Sequence, residues 1–423
     1  MRQLRQSLEL IRRTDPEAIA YAAGFIILIA LATGSTAEGF RHALLSSTDF
    51  VWGPSRALLL RQDPYAISAE WSKHPGAPNP FIAATIEPNY VATTLVFIWP
   101  VAALPWKVAK VVWAIVGILC AATIATVLNR RYLENKLATG SFLFLALMIS
   151  APARATLDNA QVSLFAVAAL LLALDLADRR RHIAAILLAA SWIKYPLTFP
   201  LTLLFLRKDR ILIVIEAAVI HIGLLLFLAA WLGQNPVSLL LAPIPFMGQL
   251  KTSGFIDAFS LMQWLGVSSS IAPFVLSALL CMAGLCVAIF WQQSDELLTF
   301  SILSIVSCLW VYHRIYDLVI LIVPLCLAVK RVQNYASICN DGWVAKSEQA
   351  FFWPSLTMLA MTWYLLGQTL DERISQLFGS TMVNVIYGVA ALSTYSAVFV
   401  GTTAVMLAHL SRAHAHSAGS ATS

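Results

Sequence analysis

The chain consists mostly of apolar runs long enough to cross a membrane, and this feature limits it to a helical membrane protein. Of its 423 residues, 59% are hydrophobic and 12% are charged, whereas a soluble domain carries about 25% charged residues. Within a bilayer the backbone must satisfy its own hydrogen bonds, and a helix does so inside one segment. We therefore predict an all-α, polytopic helical membrane protein that forms a single membrane domain over residues 1–423.

The apolar runs predict about 11 or 12 transmembrane segments. Their approximate positions are 20–36, 108–128, 139–153, 160–177, 183–206, 211–231, 271–291, 297–313, 315–329, 351–370 and 380–409. Within 183–206, each half on either side of Tyr195-Pro196 has about 11 residues, or about 17 Å of helix, which is too short for a hydrocarbon core of about 30 Å. We predict that this run is a broken pair that enters the membrane and returns.

Basic residues cluster in short turns between the apolar runs, and the positive-inside rule orients the chain from them. The clusters are Arg130–Arg131, Arg179–Arg181, Arg207–Arg210 and Lys330–Arg331. All four are cytoplasmic, together with the N-terminus, when residues 89–104 lie along the outer interface instead of crossing. This topology predicts a first extracytoplasmic loop at 35–106 with juxtamembrane helices, a cytoplasmic loop at 330–350 and a disordered tail at 411–423.

The net charge of +6 comes from basic residues scattered at helix ends, with no basic stripe interleaved with aromatic residues. That pattern speaks against nucleic-acid binding. No metal triad, phosphate loop or dinucleotide fingerprint is present, so we predict no cofactor, and a requirement for a divalent metal stays open. The expected surroundings are a lipid bilayer, and we expect a monomer.

The predicted topology brings polar residues together on the outer face. They are Asp49, Asp63 and Tyr65 in the first loop, Arg154, Asp158, Asn159 and Gln161 in the next outer turn, Lys194 at the helix break, and His313, Arg314, Tyr316 and Asp317 in a later turn. An ionisable group at the centre of a membrane helix costs about 2.5–3.5 kcal/mol on insertion scales. Several such groups on one face therefore predict a shared polar cavity.

These residue types suit sugar transfer from a lipid phosphate. A carboxylate can take the proton of an acceptor hydroxyl as the hydroxyl attacks the anomeric carbon, and we assign that role to Asp49. Cations stabilise the departing phosphate. The candidates for the phosphate are Arg154, Lys194, His313 and Arg314. The candidates for the sugar or acceptor site are Asp63, Tyr65, Asp158, Asn159, Gln161, Tyr316 and Asp317.

Structural roles remain open for the same residues. Asp49 could cap the helical segment that follows it, and Asp63-Pro64 is a common turn pair. Arg154 and Asp158 are four residues apart and could form a simple ion pair at a helix end. Lys194 could extend to an interface, and a lone histidine such as His313 often only packs at a membrane edge.

Four motifs together resemble a known family. Asp49-Phe50 with Arg61-Gln62-Asp63-Pro64-Tyr65 resembles the DF…GxDPY signature of the bacterial polyprenyl-phosphate-sugar-dependent glycosyltransferases of family 87, in the GT-C class of membrane enzymes. The other three are Asn159–Leu164, which resembles a GQVNLL turn, Ala184–Arg210, which resembles an AGxLLGLAxxxKxxP…RR pattern, and Tyr316–Val319, which is similar to a YDLVLL element. Their order is consistent from about residue 40 to 330.

The resemblance implies a GT-C-like fold and an inverting reaction with Asp49 as general base. It implies a polyprenyl-phosphate sugar donor, by default mannose, a lipid or glycan acceptor, and an extracytoplasmic active site in the bacterial inner membrane. Two positions depart from the family pattern. Ala160 replaces the glycine before Gln161, and Glu87–Tyr90 replaces a Tyr-Pro-Pro sequence. A secondary transporter or lipid flippase, and a polysaccharide polymerase or ligase, are the alternative functions.

Overall fold

The computed structural model describes residues 16–45, 51–74, 90–206, 210–243, 296–310 and 315–333, and within these ranges the regular secondary structure is helical. Numbered along the chain, the α-helices are α1 (Pro16–Leu45), α2 (Trp52–Leu59), α3 (Pro64–Ser72), α4 (Ala92–Leu95), α5 (Trp99–Ala102), α6 (Trp106–Tyr132), α7 (Leu137–Ile149), α8 (Ala151–Asp158), α9 (Ser163–Leu176), α10 (Arg181–Ser191), α11 (Tyr195–Thr198), α12 (Ile211–Leu232), α13 (Pro236–Leu241), α14 (Glu296–Trp310) and α15 (Ile322–Gln333). Short 3-10 turns lie at Val96–Ile98, Trp192–Lys194, Pro200–Phe205 and Ile315–Leu321.

Three of the described helices, α1, α6 and α12, are long and apolar enough to cross a membrane. The pair α7 and α8, which meet at a bend of 61°, makes a fourth if it is counted as one span. The predicted all-α, polytopic membrane fold is therefore confirmed. The predicted spans at 271–291, 351–370 and 380–409 lie outside the described residues.

The centre of the described fold is α9, which is apolar on all sides. Most of its residues are buried, as expected for a helix surrounded by other helices. It packs against α6 and α10 in one large apolar cluster. Leu128, Leu170, Leu188 and Phe300 are fully buried there. Because α9 touches neighbours along its whole length, its two ends define two opposite ends of the bundle.

At the C-terminal end of α9, several charged residues form a network that we call the basic end. Arg131 and Arg210 both bond to Glu296, at 2.9 and 3.1 Å. Arg210 also binds Asp178 through two bonds of 2.9 and 2.8 Å, and Arg130 pairs with Asp175. These contacts join the ends of α6, α9, α12 and α14. Members of two of the four predicted basic clusters, Arg130–Arg131 and Arg207–Arg210, thus meet in the described fold.

The run 183–206 is interrupted, as predicted, and the interruption falls at the 3-10 turn Trp192–Lys194. Side chains hydrogen-bond to the carbonyl groups around it. Thr198 donates to the carbonyl of Ser191 at 2.7 Å. His221 Nε2 lies 3.0 Å from the carbonyl oxygen of Ala189, so this nitrogen must carry the proton. Within an apolar bundle such internal partners are what allow a helix to break.

The short helices α4 and α5, with the turn between them, form one apolar stretch of 11 residues at Ala92–Ala102. At 1.5 Å per residue it is about 17 Å long, which is less than the hydrocarbon core requires. Arg56 of α2 donates to the carbonyl of Ala102 at 2.8 Å. The described stretch is thus shorter than a full span, and the position of residues 89–104 along the outer interface stays a prediction.

Candidate functional site

A buried ion pair lies at the end of α9 opposite the basic end. Lys194 Nζ is 3.4 Å from Asp317 Oδ1, and the two side chains are only 10% and 2% exposed. The hydroxyl of Ser163, the first residue of α9, donates to the same Asp317 oxygen at 2.6 Å. The helix break therefore presents its lysine to a carboxylate contributed by the turn that precedes α15.

Two tyrosine rings lie close to the Lys194 ammonium group. Nζ is 4.7 Å from the ring centroid of Tyr316 and 5.6 Å from that of Tyr90, and both distances are within the range of a cation–π attraction. The Tyr90 hydroxyl donates to Gln161 Oε1 at 3.5 Å. We call Lys194, Asp317, Ser163, Tyr316, Tyr90 and Gln161 the lysine cluster.

Asp63 and Tyr65 connect the first described outer segment to this cluster. Asp63 Oδ1 accepts the backbone N–H of Tyr65 at 2.8 Å and so caps α3, while Oδ2 accepts from Gln234 at 2.7 Å. The Tyr65 hydroxyl donates to the carbonyl of Tyr90. Burial, together with the Asp63 charge, raises the pKa of Tyr65 well above its usual value, so the phenol keeps its proton. Asp63 thus has the structural turn role left open by the sequence.

Arg154 and Asp158 lie on the side of α8 that faces α1. Arg154 pairs with Glu38 at 3.7 Å, a carboxylate that the sequence analysis did not select. Asp158 Oδ1 is buried without a hydrogen-bond partner among the described residues. A Cβ atom at Gly39 would lie 3.3 Å from that oxygen, so glycine allows α1 to approach closely. Asn159 donates to the carbonyl of Ala155 at 2.9 Å and ends the helix.

A narrow crevice, with room for about one water molecule, lies between α1, α6 and α8 and reaches Gln161. Its lining includes Lys110, Trp113, Gly117 and Leu157. Trp113 Nε1 donates to the carbonyl of Gln161 at 3.3 Å. Lys110 Nζ donates to the carbonyl of Leu44, in the last turn of α1, at 2.5 Å. Since Gln161 belongs to both features, the crevice adjoins the lysine cluster.

Comparison with known protein families indicates the function to which the lysine cluster belongs. A model of glycosyltransferase family 87 matches residues 90–312, which is more than half of the 423 residues. The chain belongs to glycosyltransferase family 87. The family predicted from the ordered motifs is therefore confirmed, and membership of it implies a membrane glycosyltransferase. No curated protein and no solved structure matches the chain.

The family 87 match includes Tyr90, Gln161, Ser163 and Lys194, which are four of the six members of the lysine cluster. The other two, Tyr316 and Asp317, follow the matched range. Among the described residues, no three His, Cys, Asp or Glu side chains lie close enough together to hold a metal ion. The lysine cluster brings together one cation, one carboxylate, three hydroxyl groups and one amide.

Three predicted site residues of the family 87 enzyme, Asp49, His313 and Arg314, lie outside the described residues. Of the described ones, Lys194, Asp317, Tyr316 and Gln161 come together, and Tyr65 contacts the cluster through Tyr90. Arg154, Asp158 and Asn159 belong to the neighbouring surface of α8. The two groups are connected where the Thr156 hydroxyl donates to the carbonyl of Tyr316 at 3.3 Å.

The sequence analysis did not select Ser163, Tyr90 or Glu38 as site residues of the family 87 enzyme. Ser163 and Tyr90 carry no charge, and a search for ionisable groups in apolar runs passes over them. A signal for Ser163 was present, since it stands two residues after Gln161 at the start of an apolar run. Glu38 lies in the polar end of α1, close in sequence to Arg41 and His42, where a carboxylate does not stand out.

Two residues of the family 87 motifs have a backbone conformation that favours glycine. Ala160 has φ 49° and Arg61 has φ 60°. Ala160 replaces the family's glycine, and Arg61 stands at the first position of the GxDPY signature. A left-handed conformation costs an L-residue about 1–2 kcal/mol, which is the physical reason for glycine at both places.

We expect Ala160→Gly to raise the free energy of unfolding by up to about 1 kcal/mol, because relief of the strained φ outweighs the extra chain entropy of glycine. Thermal unfolding of purified protein in a neutral detergent measures the change. Ala155→Gly, inside α8, is the matched control and should lower stability by about 1 kcal/mol. Equal destabilisation by both substitutions would contradict the strain at Ala160.

Proposed function

We propose that this family 87 glycosyltransferase moves a sugar from a polyprenyl-phosphate donor to a lipid or glycan acceptor. The reaction takes place at the extracytoplasmic face of the bacterial cytoplasmic membrane, and mannose is the first sugar to test. The observation that carries the proposal is the lysine cluster, in which a buried cation and polar groups meet at the end of the bundle opposite the basic end. The positive-inside rule puts the basic end in the cytoplasm, so the cluster belongs to the outer half.

Lys194 suits a lipid phosphate for an electrostatic reason. An ammonium group buried in a low-dielectric region tends to lose its proton unless a negative partner stabilises the charged form. Asp317 at 3.4 Å supplies that partner, and the rings of Tyr90 and Tyr316 add to it. We therefore assign Lys194 to stabilise the negative charge that develops on the departing phosphate.

The proposed reaction is a single displacement at the anomeric carbon. The acceptor hydroxyl oxygen attacks that carbon from the face opposite the phosphate, and Asp49 takes the hydroxyl proton. The bond between the anomeric carbon and the phosphate oxygen breaks, and its electron pair leaves on polyprenyl phosphate. Lys194, with Arg154, His313 and Arg314, stabilises the departing phosphate. The sugar is transferred with inversion of configuration.

The described residues beside Asp49 support its proposed role. Val51, two residues later, is buried in the same apolar cluster as Tyr65, Tyr90 and Ile193. Ile193 directly precedes Lys194, and Tyr90 belongs to the lysine cluster. Val51 therefore belongs to the apolar cluster that packs beside the proposed phosphate site.

The proposal is tested by a transfer assay on purified full-length protein in nanodiscs. Radiolabelled polyprenyl-phosphate mannose and glucose are supplied with a host lipid extract, and nucleotide sugars are supplied in a parallel reaction. We expect label to move into a new lipid or glycan from a lipid-linked donor only. Transfer from a nucleotide sugar would overturn the donor class.

Two other outcomes separate the remaining alternatives. Movement of an unchanged lipid-linked sugar across sealed vesicles would indicate a transporter or flippase. Transfer of preassembled chains from a lipid pyrophosphate, with no transfer of single sugars, would indicate a polymerase or ligase.

A further inference from the structure

Arg61 combines a strained backbone with a stacked and exposed side chain. It follows α2 with φ 60°, and its guanidinium carbon lies 3.9 Å from the ring centroid of Trp231. The residue is exposed, and its side chain donates no hydrogen bond to any described residue. The N–H groups at the edge of the guanidinium are therefore available, while its flat face is covered by the indole.

The turn that carries Arg61 is held in place by bonds that do not involve its side chain. Trp231 Nε1 donates to the carbonyl of Leu58 at 3.0 Å, and Gln234 donates to Asp63 at 2.7 Å. These contacts tie the segment between α2 and α3 to the end of α12. A glycine at position 61 would fit this turn without strain, so the structure of the turn itself does not explain the arginine.

The position of Trp231 in α12 sets the level of Arg61 relative to a bilayer. Trp231 lies in the last turn of a 22-residue candidate span whose other end carries Arg210. Phe227, one turn earlier, stacks on Trp231 with ring centroids 5.8 Å apart and is 45% exposed. Tryptophan at the end of a span typically lies among the lipid headgroups. Leu60, beside Arg61, is 55% exposed, which suits the apolar side of the same interface.

We propose that Arg61, held flat on Trp231, binds the phosphate of an anionic phospholipid headgroup and so docks the α2–α3 segment on the bilayer surface. A guanidinium presents two parallel N–H groups that match two phosphate oxygens. Stacking on Trp231 orients that edge in advance, which lowers the entropy lost on binding. The proposed partner is a lipid of the surrounding membrane, and the proposal does not depend on sugar transfer.

The test is thermal unfolding of full-length protein in a neutral detergent, with dispersed phosphatidylglycerol titrated against phosphatidylcholine of the same chains. We expect phosphatidylglycerol to raise the unfolding temperature of the wild type more than phosphatidylcholine does. Without lipid, Arg61→Gly should unfold at the wild-type temperature or above it. Its apparent affinity for phosphatidylglycerol should fall about fivefold, which is the effect of about 1 kcal/mol for one cation near an anionic surface.

The controls distinguish lipid binding at Arg61 from a general effect of surface charge and from the binding of other phosphate compounds. Lys107→Gln removes an exposed cation from the first turn of α6, close to α2 through the contact of Trp52 with Trp106, and should keep the wild-type affinity. Arg61→Gln should behave like Arg61→Gly in the titration. Equal loss in Lys107→Gln and Arg61→Gly, or none in Arg61→Gly, would overturn the proposal. Stabilisation by inorganic phosphate, or by polyprenyl phosphate but not phosphatidylglycerol, would also overturn it.

Discussion

Asp49→Asn is expected to slow sugar transfer by about 10²- to 10⁴-fold, which is the usual contribution of a positioned general base. An amide has nearly the shape of the carboxylate but cannot accept a proton at neutral pH, so the loss should appear in turnover more than in donor binding. The rate per folded protein is measured in nanodiscs with the donor that the wild type uses. Donor affinity is measured separately, by binding under conditions without acceptor.

Glu70→Gln is the matched control for Asp49→Asn. Glu70 lies on α3 in the same outer segment and forms an exposed ion pair with Lys73, so its substitution should leave transfer unchanged. If Asp49→Asn transferred sugar at the wild-type rate, Asp49 could not be the general base. A purely structural role as a helix cap would also survive the substitution, because asparagine caps helices as well as aspartate does.

Breaking the lysine cluster is the second change with a large expected effect. Lys194→Met leaves the Asp317 carboxylate buried without the lysine cation. Asp317→Leu leaves the Lys194 ammonium group buried without the Asp317 carboxylate. Each single change should destabilise the protein by about 3–5 kcal/mol, as is typical when one partner of a buried ion pair is removed. Each should also abolish measurable transfer.

The double variant Lys194→Met/Asp317→Leu separates folding from chemistry. Two apolar residues of similar volume often restore the stability that a buried ion pair provides, so we expect most of the loss to be recovered. Transfer should remain absent, because the buried ammonium group of Lys194 no longer stabilises the departing phosphate. Recovery of transfer in the stable double variant would show that Lys194 serves only to hold the fold.

The helical part of the fold was predictable because a long apolar run must lie in the membrane, where the backbone forms a helix. The places where the backbone turns were less predictable. The apolar run 139–153 covers α7 and the start of α8, yet the two helices meet at 61°. The bend falls at Ser150, whose side chain caps α8 through the N–H of Ala153 at 3.3 Å, with Pro152 following. An average of hydropathy over a window does not detect such a cap. A serine followed two residues later by proline does indicate one.

The charged members of the site were predictable for the same reason, since Lys194 and Asp317 stand out in apolar surroundings. Their partners were not, because hydroxyl groups such as those of Ser163 and Tyr90 are common in membrane helices. The left-handed backbone at Arg61 and Ala160 was also hidden, because neither residue is a glycine. Only the comparison with the family motifs, which have glycine at both positions, marks these two residues as unusual.

The length of α9 determines how far the lysine cluster lies from the membrane surface. The helix has 14 residues and is about 21 Å long, with the basic end at one terminus and Ser163 of the cluster at the other. In the proposed topology the basic end lies at the cytoplasmic boundary of a hydrocarbon core about 30 Å thick, and an untilted α9 would then hold the ion pair about 9 Å inside the opposite boundary. This depth favours lateral entry of a donor from its leaflet over entry from water. The rate of transfer should then follow the mole fraction of the donor in the membrane, and dilution of the surrounding buffer should leave it unchanged.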